Sequence, residues 1–449
     1  RSILIGKPHP LGCGGCHDLS KRNVYNIPFF LRRMKKGAQT ILANVLKHIV
    51  PSKEEEREMH TRFKSIASKI RIPGTKTMLG GSGAKGTWLK DDYDMDIYVA
   101  FSPTKYKTRS EQLADILHKE LKKKFKKVSR VHGSRDYFHL KHNRYTIEIV
   151  PILSITSAKQ AQNITDCSQL HVKYVQRHRK LTNDIRLAKA FAKGADVYGA
   201  ESYIRGFSGY VIELLTIHYG SFLNLIKASA RWTSTTIIGD KRKAGNLNYA
   251  KKQSPLILLD PVQEGRNAAA ALSEEKYYDF ILAARAFLGH PSADFFMPKH
   301  VNLSHLEHHG NLVTVLVTPH HGKPDVVGAK IVKAFHYLQQ EFAIHDFLLL
   351  NSGWIYKDPT QPSLFYFLIK RNDLPPTVKL RGPPISNQSA VESFKEKHGK
   401  VVEEEGRLYA FESRSYLRVE QLMPDVLKKE EVLDKVRAIK IIPHEHRKP

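Results

Sequence analysis

The chain has 449 residues, too many for one ordinary core and enough for about two to four domains. Its hydrophobic fraction of 41% can fill such cores, yet no apolar run approaches the ~20 residues of a membrane span, so a cytoplasmic location is expected. Seventy-two Lys and Arg against 44 Asp and Glu leave a net charge of +28, far more than solubility asks for, and a field of that sign gathers polyanions, nucleic acid first among them.

Three cysteines exclude a disulfide framework. Cys167 stands alone. Cys13-Gly14-Gly15-Cys16-His17 has the spacing of a haem attachment or of metal ligands, but no second cysteine pair lies near it, and the spacing reads as incidental. Arg1 in place of Met suggests a processed or partial chain, and residues 1–36 read as an extension of disorder-prone composition.

Ala38–Val50 places Ile41, Leu42, Val45, Leu46 and Ile49 on one helical face, and Pro51 ends the run. Ser52 with Glu55 three residues later is a capping box for a second helix carrying Met59, Phe63, Ile66, Ala67 and Ile70 inward. Next comes Gly80-Gly81-Ser82-Gly83-Ala84-Lys85-Gly86-Thr87-Trp88-Leu89, followed by Tyr93-Asp94-Met95-Asp96-Ile97-Tyr98-Val99. Backbone N–H groups of a Gly/Ser turn can cradle phosphate oxygens. Strand alternation puts Asp94 and Asp96 on one face, where two carboxylates suit a divalent metal. Together they point to nucleotide chemistry.

A helix is expected near Ser110–Phe125, with Leu113, Ile116, Leu117 and Leu121 inward and a basic end at Lys122–Lys127. Such a run is a solvated face that can also touch a phosphate backbone. Tyr145–Pro151 alternates like a half-buried strand, with Thr146, Glu148 and Val150 on one face. An acid flanked by isoleucines is commonly an exposed edge position; beside an acidic pair, Glu148 is a candidate third metal carboxylate. The alternation of elements predicts an α/β domain ending near residue 155.

Residues 165–260 read as mainly helical. Asn183 is placed to cap a helix that turns Ile185, Ala188, Phe191 and Ala192 inward and leaves Lys189 on another face. Gly209–Ile226 is apolar nearly all round, predicting one buried helix in which Glu213 and His218 are satisfied core groups. Asp240–Gln253 reads as a loop, followed by a buried run at Leu256–Leu259. Beyond it, Glu274–Phe287 and Val332–Phe347 read as helices, Leu312–Val317 as a strand, Asp373–Pro384 as a linker, Ser389–His398 as a helix and Leu408–Phe411 as a strand. The last twenty residues are Lys/Glu-rich and expected to fray.

The Gly-Ser turn followed by Asp-x-Asp is the pattern of the polymerase-beta-like nucleotidyltransferase superfamily, and the Gly86-Thr87-Trp88-Leu89 inside it resembles archaeal-type (class I) CCA-adding enzymes. The resemblance covers most of 40–420. It includes Arg205-Gly206-Phe207-Ser208-Gly209-Tyr210 with Glu213-Leu214-Leu215 and Tyr219-Gly220-Ser221-Phe222, then Asp260-Pro261-Val262, Arg266-Asn267 and Ala270-Ala271-Leu272-Ser273. Phe295-Phe296-x-Pro298, Lys323-Pro324-Asp325 and Tyr409-Ala410-Phe411-Glu412 extend it.

The resemblance implies an α+β multidomain enzyme. Residues 1–36 would be an N-terminal extension, 37–160 a nucleotidyltransferase α/β head, 161–270 a helical central nucleotide-binding domain, and 271–449 an α+β C-terminal tRNA-binding body and tail. Such an enzyme adds C, C and A to the 3′ end of tRNA from CTP and ATP without a template, and is expected to be a homodimer. Asp94 and Asp96 would bind two Mg2+ ions, and Glu148 would complete the catalytic site. Ser82, Lys85, Lys189 and Tyr198 would hold the triphosphate, with Ser168 and His171 near the nucleotide, Arg266 at the base and Asn267 also binding the nucleotide. The family usually has Asp where this chain has Glu148, and Arg where it has Lys85. With one Gly-Ser turn and one acidic strand in the chain, a single site must serve both nucleotides. A poly(A)-polymerase-like enzyme shares the turn and acids but not the later motifs, and a non-catalytic RNA-binding relative is the alternative from outside the enzymes.

Overall fold

The computed structural model describes residues 27–142, 145–298, 301–356 and 358–442, so the Cys13/Cys16 pair lies outside the described residues. The chain divides into two compact units, whose described parts are residues 27–298 and 301–442.

In the first unit, α1 (Ile27–Ile49) starts ten residues before the expected boundary at 37, and α2 (Lys53–Ala67) opens on the capping box. Ser52 Oγ accepts from Glu55 N at 3.1 Å and Glu55 Oε2 accepts from Ser52 N at 2.8 Å, which satisfies two of the helix's free donors. The head follows as β1 (Thr75–Leu79), α3 (Gly81–Lys85), β2 (Asp94–Phe101), α4 (Pro103–Tyr106), α5 (Leu113–Lys124), β3 (Ser129–Val131), β4 (Tyr137–His142) and β5 (Tyr145–Leu153). Its sheet runs β1-β2-β5-β4-β3, with β2 and β5 parallel and the other pairs antiparallel. Glu148 is therefore on a central strand, not an edge. Met95, Ile97, Val99, Phe101, Ile147 and Ile149 face the helices and are buried with Leu113, Leu117 and Leu121 of α5. Period-2 alternation then forces Asp94, Asp96 and Tyr98 onto the other face.

The helical part comprises α6 (Ser168–Gln176), α7 (Thr182–Gly194), α8 (Gly209–Tyr219), α9 (Phe222–Ser229), β6 (Thr236–Ile238), α10 (Lys241–Gly245), β7 (Leu256–Leu258) and α11 (Glu274–Gly289). The single helix expected over 209–226 is two. Gly220, at φ 76°, ends α8 in the left-handed region that glycine tolerates, and Ser221 caps α9 by accepting from Asn224 N. Phe191, Phe207, Phe222, Phe280, Phe287 and Phe296 form the centre of this core, so it extends past the expected limit of 270. Leu42 and Val45 of α1 are buried in the same core, so α1 packs with the central domain although it precedes the head. Asn183 lies inside α7, one residue past its first turn's start, and His218 is exposed at the end of α8 instead of buried.

The second unit contains α12 (Leu303–Glu307), β8 (Asn311–Thr318), α13 (Pro324–Ile344), β9 (Leu349–Ile355), β10 (Ser363–Ile369), β11 (Thr377–Pro384), α14 (Gln388–His398), β12 (Val401–Glu404), β13 (Arg407–Ser413), α15 (Val419–Val426), α16 (Glu430–Leu433) and β14 (Ala438–Ile442). A β14-β8-β10-β9 sheet packs Val315, Phe365 and Phe367 against Leu338 and Phe342 of α13 and Leu422 of α15. A smaller β11-β13-β12 sheet carries α14. Two expectations are corrected here. The Pro-rich stretch read as a linker is largely strand β11, and the tail expected to fray contributes β14, paired with β8. Among the described helices none is long and apolar enough to cross a membrane.

A Cβ on Gly194 would overlap the Phe295 carbonyl oxygen, whereas one on Gly245 would meet nothing within 4 Å. Gly194→Ala is expected to cost roughly 1–3 kcal/mol, a loss of several degrees in the first thermal transition, while Gly245→Ala leaves that transition in place. Differential scanning calorimetry of the two variants checks the contrast.

Candidate functional site

Strand β1 delivers the chain to the acidic strand and α3 turns it back. Gly80 N donates to Asp96 O at 2.8 Å, and Gly81, at φ 49°, lies so close to β2 that a Cβ there would overlap Asp96 Oδ2. The Gly/Ser segment is thus a single helical turn laid against the carboxylate face. Tyr98, next along that face, accepts from Gly81 N at 3.3 Å and is also hydrogen-bonded by Ser168 at the start of α6, so Ser168 acts on the turn through the Tyr98 hydroxyl.

Parallel pairing sets Asp96 opposite Glu148 and Asp94 opposite Thr146. The acids feel one another. Burial, then Glu148, Asp94 and Asp92 push the Asp96 pKa up to about 7, against the opposing pull of Lys85; Asp94 is raised by burial and Asp92. Among the described residues no three His, Cys, Asp or Glu side chains already converge into a metal cage. The donor set nevertheless fits a hard divalent cation: carboxylate oxygens on adjoining strands, with more negative charge than the surrounding cations balance. His139, opposite Glu148 on β4, places its Nε2 3.5 Å from Glu148 Oε2 and was missed in the sequence, although the Phe138/Leu140 alternation puts it on that face.

Lys85 does not stand free. Its Nζ lies 2.8 Å from Glu213 Oε2, while Glu213 Oε1 accepts from Lys189 Nζ at 2.9 Å and Thr87 Oγ1 at 2.7 Å. Lys189 also donates to Thr87 O at 3.2 Å and Thr87 Oγ1 at 3.0 Å, which occupies all three of its protons. Lys189, on a different face of α7 from the apolar residues the periodicity turns inward, is buried as well, because Glu213 compensates its charge. Burial alone would raise the Glu213 pKa, but the two ammonium groups hold it at about 2. The neighbouring residues complete a joint: the Trp88 side chain is in the head core, Leu89 is in the central core, and Arg186 Nε of α7 donates to Trp88 O at 3.1 Å. Tyr198 lies at the edge of this region, under Lys193, whose Nζ reaches Asp92 at 3.1 Å.

A second hub is Asp260. It accepts from Val262 N at 2.8 Å, Tyr210 Oη at 3.1 Å and Arg266 Nη1 at 2.5 Å, with His171 Nε2 at 3.4 Å. Burial would raise its pKa, but the His171 ring, the Val262 N–H and Arg266 hold it at about 2. Tyr210 links the two hubs. His171 stacks on its ring with centroids 4.2 Å apart, Lys85 Nζ lies 5.3 Å from that ring's centre and Arg266 Cζ 5.9 Å. The structure therefore brings Lys85, His171 and Arg266 around Tyr210. Asn267, expected to bind the nucleotide, is buried; its amide nitrogen donates to Lys251 O and Leu256 O, and its oxygen accepts from Leu258 N and Ala269 N. With those groups used, it shapes the Arg266 loop. Ser82 is half-buried within α3.

Three family models match the chain: a nucleotidyltransferase domain over residues 60–171, a tRNA nucleotidyltransferase second domain over 183–297, and a CCA-adding enzyme C-terminal domain over 311–437. A CCA-adding enzyme of Methanocaldococcus jannaschii is 30% identical over 418 residues, 87% of this chain and 90% of that protein. One of Pyrobaculum aerophilum is 32% identical over 374 residues, covering 80% and 85% of the two chains. One of Sulfurisphaera tokodaii is 38% identical over 266 residues, covering 58% and 62%.

Because the Glu213 pKa is about 2, below its ordinary 4.5, its stabilisation is fully present above that ordinary value and is lost as pH falls through about 2. Glu213→Gln leaves two buried cations without their anion and should cost roughly 3–5 kcal/mol near neutral pH. Chemical denaturation between pH 7 and pH 3 should show the gap between the two proteins narrowing toward acid.

Proposed function

The chain belongs to the archaeal-type CCA-adding enzymes of the polymerase-beta-like nucleotidyltransferase superfamily, and from that premise we propose how its residues divide the work of adding C, C and A to the 3′ end of tRNA. Its substrates are tRNA, CTP and ATP, and enzymes of its superfamily work with divalent metal ions.

The observation that carries the assignment of roles is that α3 ties two charge sets together, Gly81 lying against Asp96 at its start and Lys85, whose charge acts on Asp96, at its end. One set is Asp94, Asp96 and Glu148, which we assign to the metal, taken to be Mg2+. When bound, such cations neutralise the triphosphate and lower the pKa of the attacking 3′-hydroxyl. The other is Lys85 and Lys189, held by Glu213. Their charges exceed that of the one carboxylate between them by one, so this buried cluster favours an anion. We assign the triphosphate to this end, with the N–H groups and Ser82 of α3, Lys85 and Tyr198 around it, and with Lys189, whose protons are all used, adding its charge from beneath. Glu213 is then a positioning residue that presents Lys85. A lysine offers a point charge where the family's arginine offers a planar fork, so Glu213 and Tyr210 supply the aim that the side chain lacks.

The base falls to Arg266 and His171. Asp260 grips Arg266 through Nη1 and leaves its other N–H groups for a base edge. A site built of aimed donors rejects a base that cannot satisfy them better than an apolar pocket does. The net charge of +28 suits an A-form acceptor stem, held by shape and phosphate contacts, with affinity that falls steeply with salt. We further propose that the protein works as a homodimer in the cytoplasm.

The test is incubation with tRNA ending before C, after one C and after both, with Mg2+ and each labelled nucleotide in turn. The wild-type chain should add C, C and A in order and stop. Asp96→Ala should reduce every addition to background while tRNA retention on a filter is nearly unchanged. Arg266→Ala should lose roughly 1.5–3 kcal/mol of discrimination among the four bases, the worth of a hydrogen bond from a charged donor. Unchanged base preference at all three stages would remove Arg266 from that role.

A further inference from the structure

We propose that His305 and His309, at the start of the second unit, form a surface site for a divalent transition-metal cation of the zinc class. Their Nε2 atoms lie 3.3 Å apart, with ring centroids 4.8 Å apart and planes crossed at 76°. Two imidazole nitrogens bound to one tetrahedral zinc at about 2.0–2.1 Å are separated by roughly 3.3 Å, so the rings already stand at the span that such an ion imposes. Between two neutral rings one Nε2 must carry a proton to donate and only the other offers its lone pair; a cation in place of that proton takes a lone pair from each.

The backbone fixes this spacing. Asn302 caps α12 by accepting from His305 N at 3.1 Å, and the chain keeps turning beyond the helix, His308 N donating to His305 O at 3.3 Å and His309 N to Leu306 O at 2.9 Å. His309 therefore returns beneath His305, as i and i+4 positions do on a helix. Immediately afterwards Gly310 passes so near β10 that a Cβ would stand 2.6 Å from Ile369 O, and the chain enters β8 at Asn311. One side of the site is thus anchored to the sheet. Both histidines are exposed, so a hydrated ion can reach them and keep water in its remaining positions. The sequence concentrates this donor locally, with His300, His305, His308 and His309 within ten residues. Bound metal would cross-brace the turn that leads into β8. The site uses none of the residues assigned to nucleotidyl transfer.

The experiment is calorimetric titration of the full chain with zinc chloride, in excess Mg2+ and with Cys13→Ser and Cys16→Ser to remove competing thiolates. A zinc equivalent should bind, and His305→Gln or His309→Gln should each weaken it by about tenfold or more, whereas His308→Gln should not. Zinc at saturation should also raise the thermal transition of the parent chain and not that of the two variants. Equal zinc affinity in the parent and in both variants would overturn the proposal and leave the contact as a hydrogen bond between neutral rings.

Discussion

The placing of the whole candidate site depends on one buried interaction, the Glu213 carboxylate shared between Lys85, Lys189 and Thr87. Lys85 and Thr87 come from the segment after the Gly/Ser turn, and Lys189 and Glu213 from two helices of the central core. Removing such charges from water costs several kcal/mol each, a cost offset only when the geometry is close and the remaining donors are satisfied. Here every proton of Lys189 and both oxygens of Glu213 are used. The consequence is positional: the head and central domain cannot shift against each other without separating these charges. Trp88 and Leu89, buried in different cores, add an apolar version of the same constraint.

That joint also explains how charge is arranged. Burial, with the repulsion of Glu148 and Asp94 added to it, pushes the Asp96 pKa up to about 7, while the lysine cluster carries more positive charge than its one acid cancels. Each set is costly alone. On the assignment proposed above, a metal-bound triphosphate would relieve both, with its cations at the carboxylates and its phosphates at the lysine end. Binding is therefore favoured by charges the fold has already assembled, which is the sense of a preorganised polar site.

Much of this was legible in the sequence because it is local. The Ser52/Glu55 box, the alternation that joins Asp94 to Asp96, and the isoleucines around Glu148 all act within a few residues, and the structure has each of them. What was not legible depends on partners far apart in the chain. Helical periodicity sets Lys189 apart from the apolar face but does not show that it is buried, because nothing near it in sequence reveals Glu213 as its counter-ion. Asn267 looked like a ligand beside Arg266, yet its amide is consumed by Lys251, Leu256, Leu258 and Ala269. The Pro-rich stretch before Ile385 read as a linker, since two prolines end it, but β11 is an outer strand of its sheet and tolerates proline at its end. Gly220 was hidden in an apolar run that only the left-handed residue divides.

The central claim is that Glu213 aims Lys85 at the triphosphate, and the most direct measurement is a double-mutant cycle on equilibrium CTP affinity with Lys85→Met and Glu213→Gln. If Glu213 positions Lys85, removing the lysine should cost much less affinity in the Glu213→Gln variant than in the parent, a coupling of about 0.5–3 kcal/mol. Additive losses would contradict the account, for they would mean that Lys85 meets the phosphate without help from Glu213.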